Sequence, residues 1–452
     1  MKNSNKACTQ IKIPASNVDV LAEADIVVCG GGPAGIAAAV SAARHGAEVI
    51  LLERWPSVGG QATNALVNIW HTSDRTKQVI YGLVQETIER CGKNIARFAH
   101  YPSQPETHEF EPCAMRLVFH KLLDDAGVRT ICHLAAMESI VGDGRIRGVL
   151  VDTKTGRRAV LGKIFVDATG DGDIAANAGA PFEYGRKIDG RVQGMTMMFR
   201  LCGLDPEKVL ANPKEADRVF ALMKTLRAKG EFPPFLDLGA DSYLHSPRNH
   251  AVSYNMTPVA GNPLEEEELT RLSVQARRQV QQYVDLWQKE MPGFENVEIE
   301  QMGFWLGIRE SRRITGMKTL DAQMVVKAVK QPDAIGHGFW MVDIHDPKGS
   351  GHTTWCDQKA ESMPPVGESY HIPLGMCLNS KIPNLAVAGR CASSTHEGLA
   401  SVRIQTHCMV MGQGAGTAAA LALAENVDMA NVGMKNLQAT LKADGVYLEE
   451  MG

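Results

Sequence analysis

Several places in the sequence hold residues whose types and spacing suit chemistry. Gly30-Gly31-Gly32-Pro33-Ala34-Gly35 contains GxGxxG, a pattern whose backbone amides can hold phosphate oxygens. His71 stands in Ile69-Trp70-His71-Thr72-Ser73, downstream of a Gly59-Gly60-Gln61 step. Arg309-Glu310-Ser311-Arg312-Arg313 packs three guanidiniums and one carboxylate into five residues. Asp343 and His345 flank Ile344, so in a strand they share one face, and Asp343 can orient His345 as a general acid or base. Near the C-terminus come Gly389-Arg390, His396-Glu397 and Arg403. Arg403 falls in the first turn of an apolar helix, where a cation opposes the helix dipole and calls for a nearby anion.

A glycine turn holds phosphate only if a strand delivers it and a helix leaves it. Ala24–Cys29 is a short apolar, β-branched run that reads as a buried strand. Ile36–His45 is alanine-rich and helical, stopped by Gly46, and Glu48–Leu52 reads as the next buried strand. The βαβ unit so formed has parallel strands and a right-handed crossover. In that setting Gly30 makes the tight turn, Gly32 admits a pyrophosphate, and Gly35 lets helix and strand pack closely. Free N–H groups at the helix N-terminus hold the phosphates. Glu53 closes the second strand, where a carboxylate accepts hydrogen bonds from both ribose hydroxyls and repels a 2′-phosphate. The dinucleotide is therefore FAD or NAD, not NADP.

Three features favour FAD. Gly59-Gly60-Gln61 lets the chain pass close to a flavin's phosphate and ribityl. The sequence has no second GxGxxG of the kind a nicotinamide would use. A strand at Ile382–Ala388 leads through Gly389-Arg390 to a long alanine-rich helix, roughly 402–424, whose N-terminus near Ser401-Val402 would stabilise negative charge on the flavin N1/O2 edge.

With these residues the chain resembles the FAD-dependent oxidoreductases whose fold is shared with the fumarate reductase and succinate dehydrogenase flavoproteins. The resemblance rests on residues 23–35, Glu53-Arg54, Gly59-Gly60, residues 167–173, residues 309–313, residues 388–393, Ser401-Val402-Arg403 and residues 412–416. It implies an FAD site built from N- and C-terminal segments around a middle insert. Pyrophosphate contacts then fall on Gly32, Pro33, Ala34 and Gly35, and the ribose contact on Glu53. Arg54 lies beside the adenine and Ala136 meets it through its backbone. Thr169-Gly170-Asp171 lines the adenosine side, and Gly389, Arg390 and Val402 line the ribityl and pyrimidine. The Gly-Asp-Ala-Ala-His type of segment seen in aromatic hydroxylases is missing, as are the iron–sulfur cysteine runs of relatives of heterodisulfide reductase.

The 452 residues, 44% hydrophobic and 22% charged, suit two or three globular domains. The expected fold class is α/β: a Rossmann-like FAD-binding domain, with a parallel sheet and a β-meander, and an inserted α+β substrate domain. The reading divides the chain into a lead-in (1–23), an FAD-binding part (24–185), an inserted substrate domain (186–370), a closing FAD-binding segment (371–430) and a tail (431–452). Arg116–Ala126 reads as a helix. Val128–Ile140, Arg147–Asp152, Arg158–Leu161, Lys163–Ala168 and Gly194–Cys202 read as strands, and Glu265–Lys289 as a charged helix.

Net charge is −4 with both signs mixed, which gives no basic face for nucleic acid. Ten scattered cysteines form no CxxC and read as buried thiols of a reducing cytosol. Met1–Gln10 lacks an apolar signal region and no long apolar run occurs, so a cytoplasmic protein without a membrane partner is expected. No metal is expected.

The candidates for chemistry are His71, His396, Arg403 and Arg309. His71 reads as a proton donor, a covalent flavin anchor or a hydrogen-bonded structural residue. His396-Glu397 lies in a loop facing the cleft. The arginine cluster reads either as a solvated face or as buried beside a ligand. Cys391 reads as packing. The leading expectation is a single-subunit enzyme moving a hydride between FAD and a small or medium polar substrate, an activated alkene, alcohol or amine. A flavin subunit that passes electrons to a partner, and a non-redox flavoprotein isomerase or hydratase, are the alternatives. The electron partner and the oligomeric state, a homo-oligomer included, stay open.

Overall fold

The computed structural model describes residues 17–98, 107–236, 242–243, 251–353 and 362–449. The readings made on Met1–Gln10, Cys8 and Cys356 lie outside them. The described chain opens with β1 (Val20–Cys29), α1 (Pro33–Arg44) and β2 (Val49–Leu52). Next come α2 (Gly60–Thr63), β3 (Ile69–His71), α3 (Leu83–Cys91), β4 (Ile95–Phe98) and β5 (Thr107–Phe110). Then α4 (Pro112–Asp125) and β6 (Arg129–Ile131) lead to a meander, β7 (Ala135–Gly142), β8 (Arg145–Thr153) and β9 (Gly156–Asp167), with α5 (Asp173–Asn177) after it.

The middle of the chain supplies β10 (Phe182–Tyr184), β11 (Met195–Cys202), α6 (Pro206–Ala211), α7 (Glu215–Ala228) and β12 (Ser242–Tyr243). It continues through β13 (Val252–Val259), α8 (Glu266–Glu290), β14 (Glu298–Met302) and β15 (Arg312–Ile314). The last part holds α9 (Ala322–Val326), β16 (Ala334–Gly338), β17 (Tyr370–Pro373), β18 (Leu385–Val387), α10 (His396–Val402), α11 (Gln405–Glu425) and α12 (Met434–Ala443).

The main sheet has seven strands in the order β6-β2-β1-β9-β8-β7, with β18 also paired to β9. β1 pairs in parallel with β2 and β9, so β1 and β18, the first and last strands of the main sheet, lie on either side of β9. This is the expected α/β architecture. Both faces are covered, and β1 shows why its sequence is apolar throughout. Ile26 and Val28 enter the core under α1 and α11, while Val27 and Cys29 enter the core on the meander side.

Two expected boundaries move. The run 128–140 is broken at Cys132–Leu134, where His133 takes a positive φ, and becomes β6 and β7. The two strands expected at 158–161 and 163–168 are one strand, β9, whose first half pairs β8 and whose second half pairs β18. Residues 20–23, expected in the lead-in, extend β1 along β9.

Helix α11 carries no polar face among its first sixteen residues because they are buried on all sides. It lies against α1 at close range. A Cβ at Gly412 would sit 2.0 Å from the Ala34 carbonyl oxygen, and one at Gly416 would sit 2.2 Å from that of Ala38. The glycines, one turn apart, let the two backbones touch. On another face of α11, Gly414 receives Ile335 of β16.

A second layer, the four-stranded sheet β12-β13-β11-β14, packs on α8 around Phe199, Tyr254, Tyr283 and Trp287. Arg200 of β11 joins this layer to the first through a buried pair with Glu111, 2.9 Å away at the start of α4. Burial pushes the neighbouring Glu109 carboxyl up to about 8, against the pull of Arg200. Among the described residues, no helix is long and apolar enough to cross a membrane.

Candidate active site

The glycine turn sits where β1 ends against β9. Gly30 has φ +105°, and a Cβ there would lie 2.3 Å from the Ala168 carbonyl oxygen. A Cβ at Gly35 would lie 1.8 Å from the oxygen of Gly30, so neither position admits a side chain. Gly32 differs: a Cβ there meets nothing within 4 Å, because it faces an open cavity. Gly32 caps α1 and Pro33 is its first residue, so the amides of Ala34 and Gly35 have no intrahelical acceptor. That is a cradle for an anion.

The cavity measures about 570 Å³, within the range of ligand pockets. One end is lined by Gly30, Gly32, Pro33, Ala34, Glu53, Arg54, Gly60, Ala136, Thr169, Gly170, Asp171, Gly389 and Arg390. These residues come from five separate stretches of sequence, and the sheet brings them together. Glu53 holds the turn: its Oε2 accepts the Gly31 amide at 2.6 Å and its Oε1 the Trp55 amide at 2.9 Å. Burial raises its carboxyl above the usual range, and the two amides oppose that rise. The Gly59 amide donates to the Gly31 oxygen at 2.7 Å, so the Gly59-Gly60 step braces the same turn. A bulge beside Ala136 in β7 lets this strand edge face the cavity.

Asp167 organises the loop after β9. Its carboxylate accepts from the Thr169 amide and hydroxyl at 3.0 and 2.7 Å and from the Ala175 amide at 2.8 Å. Complete burial still lifts it to about 6. Across the cavity, Arg390 donates to Asp171 at 2.6 Å and to the Ser311 hydroxyl at 2.7 Å. Burial alone would raise Asp171, but the Arg390 guanidinium and Ser311 hold it below the usual carboxylate range. This clamp joins the closing segment to the first half of the site.

The other end is built from distant segments. Gln61, Ile69, His71, Thr196, Asn255, Arg309, Trp340, Asp343, His345, Arg403, Ile404 and Gln405 line it. His71 packs against Trp340 in a tilted pair with ring centroids 4.1 Å apart, and its Nδ1 lies 3.3 Å from the Thr107 hydroxyl. Arg309 donates to the Gly194 carbonyl at 2.8 Å and to the Thr196 hydroxyl at 3.1 Å. His345 and Asp343 meet as their spacing predicts, Nε2 to Oδ2 at 3.1 Å, although their segment is a loop and not a strand. Arg403 donates to the carbonyl of Asp343 at 3.0 Å and to its Oδ2 at 3.2 Å. Arg403 is not in the first turn of a helix as expected but is the C-cap of α10, where the dipole favours a cation; its anion is the largely buried Asp343.

Burial and the nearby Arg309 charge push His345 down to about 4, despite the opposing pull of Asp343, so its ring is neutral. For Asp343, burial is outweighed by His345, Arg403 and Arg309, which hold the carboxyl far below its ordinary value. Four buried polar atoms on the lining have no hydrogen-bond partner among the described residues: Gln61 Oε1, Asp343 Oδ1, His345 Nδ1 and Arg403 Nε. Buried polar groups left so are uncommon and point to a ligand. Together with the open Gly32 cradle and the carboxylate of Glu53, they suit a long polar cofactor with a substrate beyond it.

Gly35, packed against the Gly30 oxygen, does not itself line the cavity, and three further expected site residues lie elsewhere. His396 is not in a loop: it begins α10, buried, with Nδ1 2.7 Å from Glu310 Oε2, and it does not line the cavity. Glu310 also takes Arg313 and the Gln193 amide, so much of the arginine cluster is spent on internal pairing. Ser401 donates to the Trp340 carbonyl at 2.7 Å, and Val402 is fully buried; neither lines the cavity. The chain breaks between α10 and α11 at Arg403-Ile404, where Ile404 takes ψ 139°, so the helix N-terminus at the cavity is Ile404-Gln405. No glycine or proline marks this break in the sequence. Cys391 is buried, and burial raises its thiol well above the ordinary value, which fits packing.

A model of the family described as FAD dependent oxidoreductase matches residues 25–441. Among solved structures, the chain is similar to a geranylgeranyl bacteriochlorophyll reductase-like protein from Thermoplasma acidophilum at 14% identity and a TM-score of 0.47, covering 93% of this chain and 83% of that one. It is similar to the p-nitrophenol 4-monooxygenase of Pseudomonas putida DLL-E4 at 10% identity and a TM-score of 0.46, covering 95% and 90%. A myxobacterial chondrochloren halogenase is similar at 13% identity and a TM-score of 0.43, covering 93% and 78%. A comparison with curated proteins gives no match.

Proposed function

Since this chain belongs to the family of FAD dependent oxidoreductases, whose cofactor is FAD, we propose that it oxidises a small polar substrate by removing a hydride from a carbinol or amine carbon next to a carboxylate or carbonyl. The observation that carries this reading is the pair of unpartnered buried atoms at one end of the cavity. His345 Nδ1 is an acceptor and Arg403 Nε–H is a donor. A substrate with a hydroxyl or amine proton and a neighbouring oxygen satisfies both.

FAD contacts are assigned to Gly32, Pro33, Ala34 and Gly35 for the phosphates, Glu53 for the ribose, and Arg54 and Ala136 for the adenine. Thr169, Gly170, Asp171, Gly60, Gln61, Gly389 and Arg390 continue along the cofactor. Ile404 and Gln405 take the place of Ser401 and Val402 at its far end. The fumarate-reductase-like frame belongs to the same reading, supported by the closing segment meeting the glycine turn across one cavity. The sheet β12-β13-β11-β14 with α8 is read as the substrate-covering domain.

Bound FAD supplies the two-electron hydride acceptor. The residues do the rest. Arg403 and Arg309 hold the substrate oxygen atoms and fix the reacting carbon. His345, neutral with its Nε2–H given to Asp343, offers the Nδ1 lone pair to the hydroxyl or amine proton. As that proton passes to His345 and the C–H bond gives up its hydride, the C–O or C–N bond becomes double. Asp343, held ionised, stabilises the imidazolium that results. His71 and Trp340 form a wall that excludes water.

The test is anaerobic mixing of the FAD-loaded enzyme with a panel of 2-hydroxy acids and 2-amino acids. Bleaching of the flavin by one class supports the proposal. Bleaching that is equally fast in His345→Gln, with FAD content unchanged, removes His345 as the base.

A further inference from the structure

Behind α11 from the cavity, β16 and β17 pair antiparallel with His337 opposite His371. Directly opposite residues put their side chains on one face of a sheet. The two rings meet edge to face, with centroids 4.6 Å apart, and both residues are almost fully buried. The C-terminal segment covers them: the Tyr447 ring lies 4.9 Å from that of His337, and Glu449 follows two residues on.

The outer nitrogens are oriented. His337 Nδ1 lies 2.8 Å from the Ser369 hydroxyl. His371 Nδ1 faces both the amide of Gln331, at 3.0 Å, and its carbonyl, at 3.2 Å. With the Gln331 amide donating to it, Nδ1 is the acceptor and the proton sits on Nε2; an ion at Nε2 selects the other tautomer, in which Nδ1–H donates to the Gln331 carbonyl. This is the second shell that metal-ligating histidines use. Both Nε2 atoms are buried and have no hydrogen-bond partner among the described residues. Two histidines facing each other with nothing between their inner nitrogens make a poor structural contact and a good half of a metal site.

We propose that His337 Nε2, His371 Nε2 and the Glu449 carboxylate bind one divalent transition ion of the zinc type, which fastens the C-terminal segment to the β16–β17 pair. The three donor groups already lie within 4.8 Å of one another. Zinc takes such nitrogens and oxygens at roughly 2.0–2.2 Å, and Glu449, on an exposed segment, supplies the remaining approach.

Lys330 is the competitor. Its ammonium lies 3.2 Å from Glu449 Oε2, and the Tyr447 hydroxyl donates to Glu449 Oε1 at 3.1 Å. Lys330 also donates to the Ser369 carbonyl at 2.8 Å, a contact it keeps if Glu449 turns to the metal. The carboxylate thus has two cationic partners to choose between, the lysine and the ion.

The test uses the full-length, FAD-loaded protein after chelator treatment, titrated calorimetrically with zinc ion. One equivalent should bind, and the melting temperature should rise with zinc concentration. Glu449→Gln, at an exposed position that folding tolerates, should weaken binding by more than the roughly 10–100-fold seen on losing an outer-shell partner. His337→Gln with His371→Gln should abolish it. Lys330→Met should tighten it, an effect that a purely structural histidine pair would not show. Absence of a stoichiometric site, or zinc affinity unchanged in Glu449→Gln and in the double histidine variant, overturns the proposal.

Discussion

The two ends of the cavity are built on opposite principles. At the glycine-turn end the polar groups are satisfied inside the protein: Glu53 by two amides, Asp167 by three donors, Arg390 by Asp171 and Ser311. At the His345 end, Gln61, Asp343, His345 and Arg403 each keep a buried polar atom with no partner among the described residues. The first end is a finished structure that presents backbone to its ligand. The second is finished only by what binds there. Anchoring and chemistry are thereby separated along one cavity, and damage at the two ends should look different.

The largest effect is expected at the glycine turn. Gly35→Val places carbon within bonding distance of the Gly30 oxygen, so the turn cannot form and the purified protein should carry no FAD, as read from its absorbance spectrum. At the opposite end His345→Gln should leave FAD content intact and slow flavin reduction by roughly 10²–10⁴-fold, the usual value of a positioned general base. Retained FAD with a lost rate is the signature that separates the two ends. Should His345→Gln instead lose its flavin, the separation fails.

Arg390→Ala tests the clamp between the halves. It leaves the part-buried Asp171 without its cation and should cost about 1.5–3 kcal/mol in denaturant unfolding. Adding Asp171→Asn should recover part of that loss. A simple sum of the two single changes would mean that the pair does not act as a unit.

The pH response sharpens the contrast. His345 works as a base only when neutral, so kcat/KM should fall on the acid side as the ring protonates, near pH 4 rather than near the ordinary histidine value. The sign for stability follows from the same shift. A histidine kept neutral in the fold binds its proton later than in the unfolded chain, so its contribution is lost as pH falls from about 6.5 toward 4. An acid limb centred near 6.5 in wild type, and unchanged in His345→Gln, would assign the limb to another group. The smallest effect is expected for His396→Gln. Its partner is Glu310, not the cavity, so a loss of about 1–3 kcal/mol in stability should exceed any change in the rate of flavin reduction.

The same contrast explains what could be read from the sequence. The glycine-turn end is local: Gly30 to Glu53 is one βαβ unit, and each residue's task follows from its distance to a strand end or a helix start. Gly60, Thr169–Asp171 and Gly389–Arg390 likewise follow strand ends, where open α/β sheets collect their ligands. The Asp343–His345 contact was legible because two residues of spacing suffice to bring the side chains together. What lay hidden were contacts set by tertiary packing. Nothing near Glu310 in sequence announces His396, 86 residues on, as its partner. The break at Arg403-Ile404 is enforced by the reach of Arg403 to Asp343 and by the burial of α11, not by a breaker residue. Trp340, which no motif in the sequence marks, joins the site only because the chain after β16 comes back against His71 of β3.

The most direct measurement is anaerobic flavin reduction by a 2-hydroxy acid or 2-amino acid, followed in wild type and His345→Gln across pH. The account predicts bleaching in wild type with an acid limb near pH 4, and a slow, FAD-replete variant without that limb. Wild-type FAD that dithionite reduces but no member of either class bleaches, or a variant that matches wild type in rate and pH profile, would contradict it.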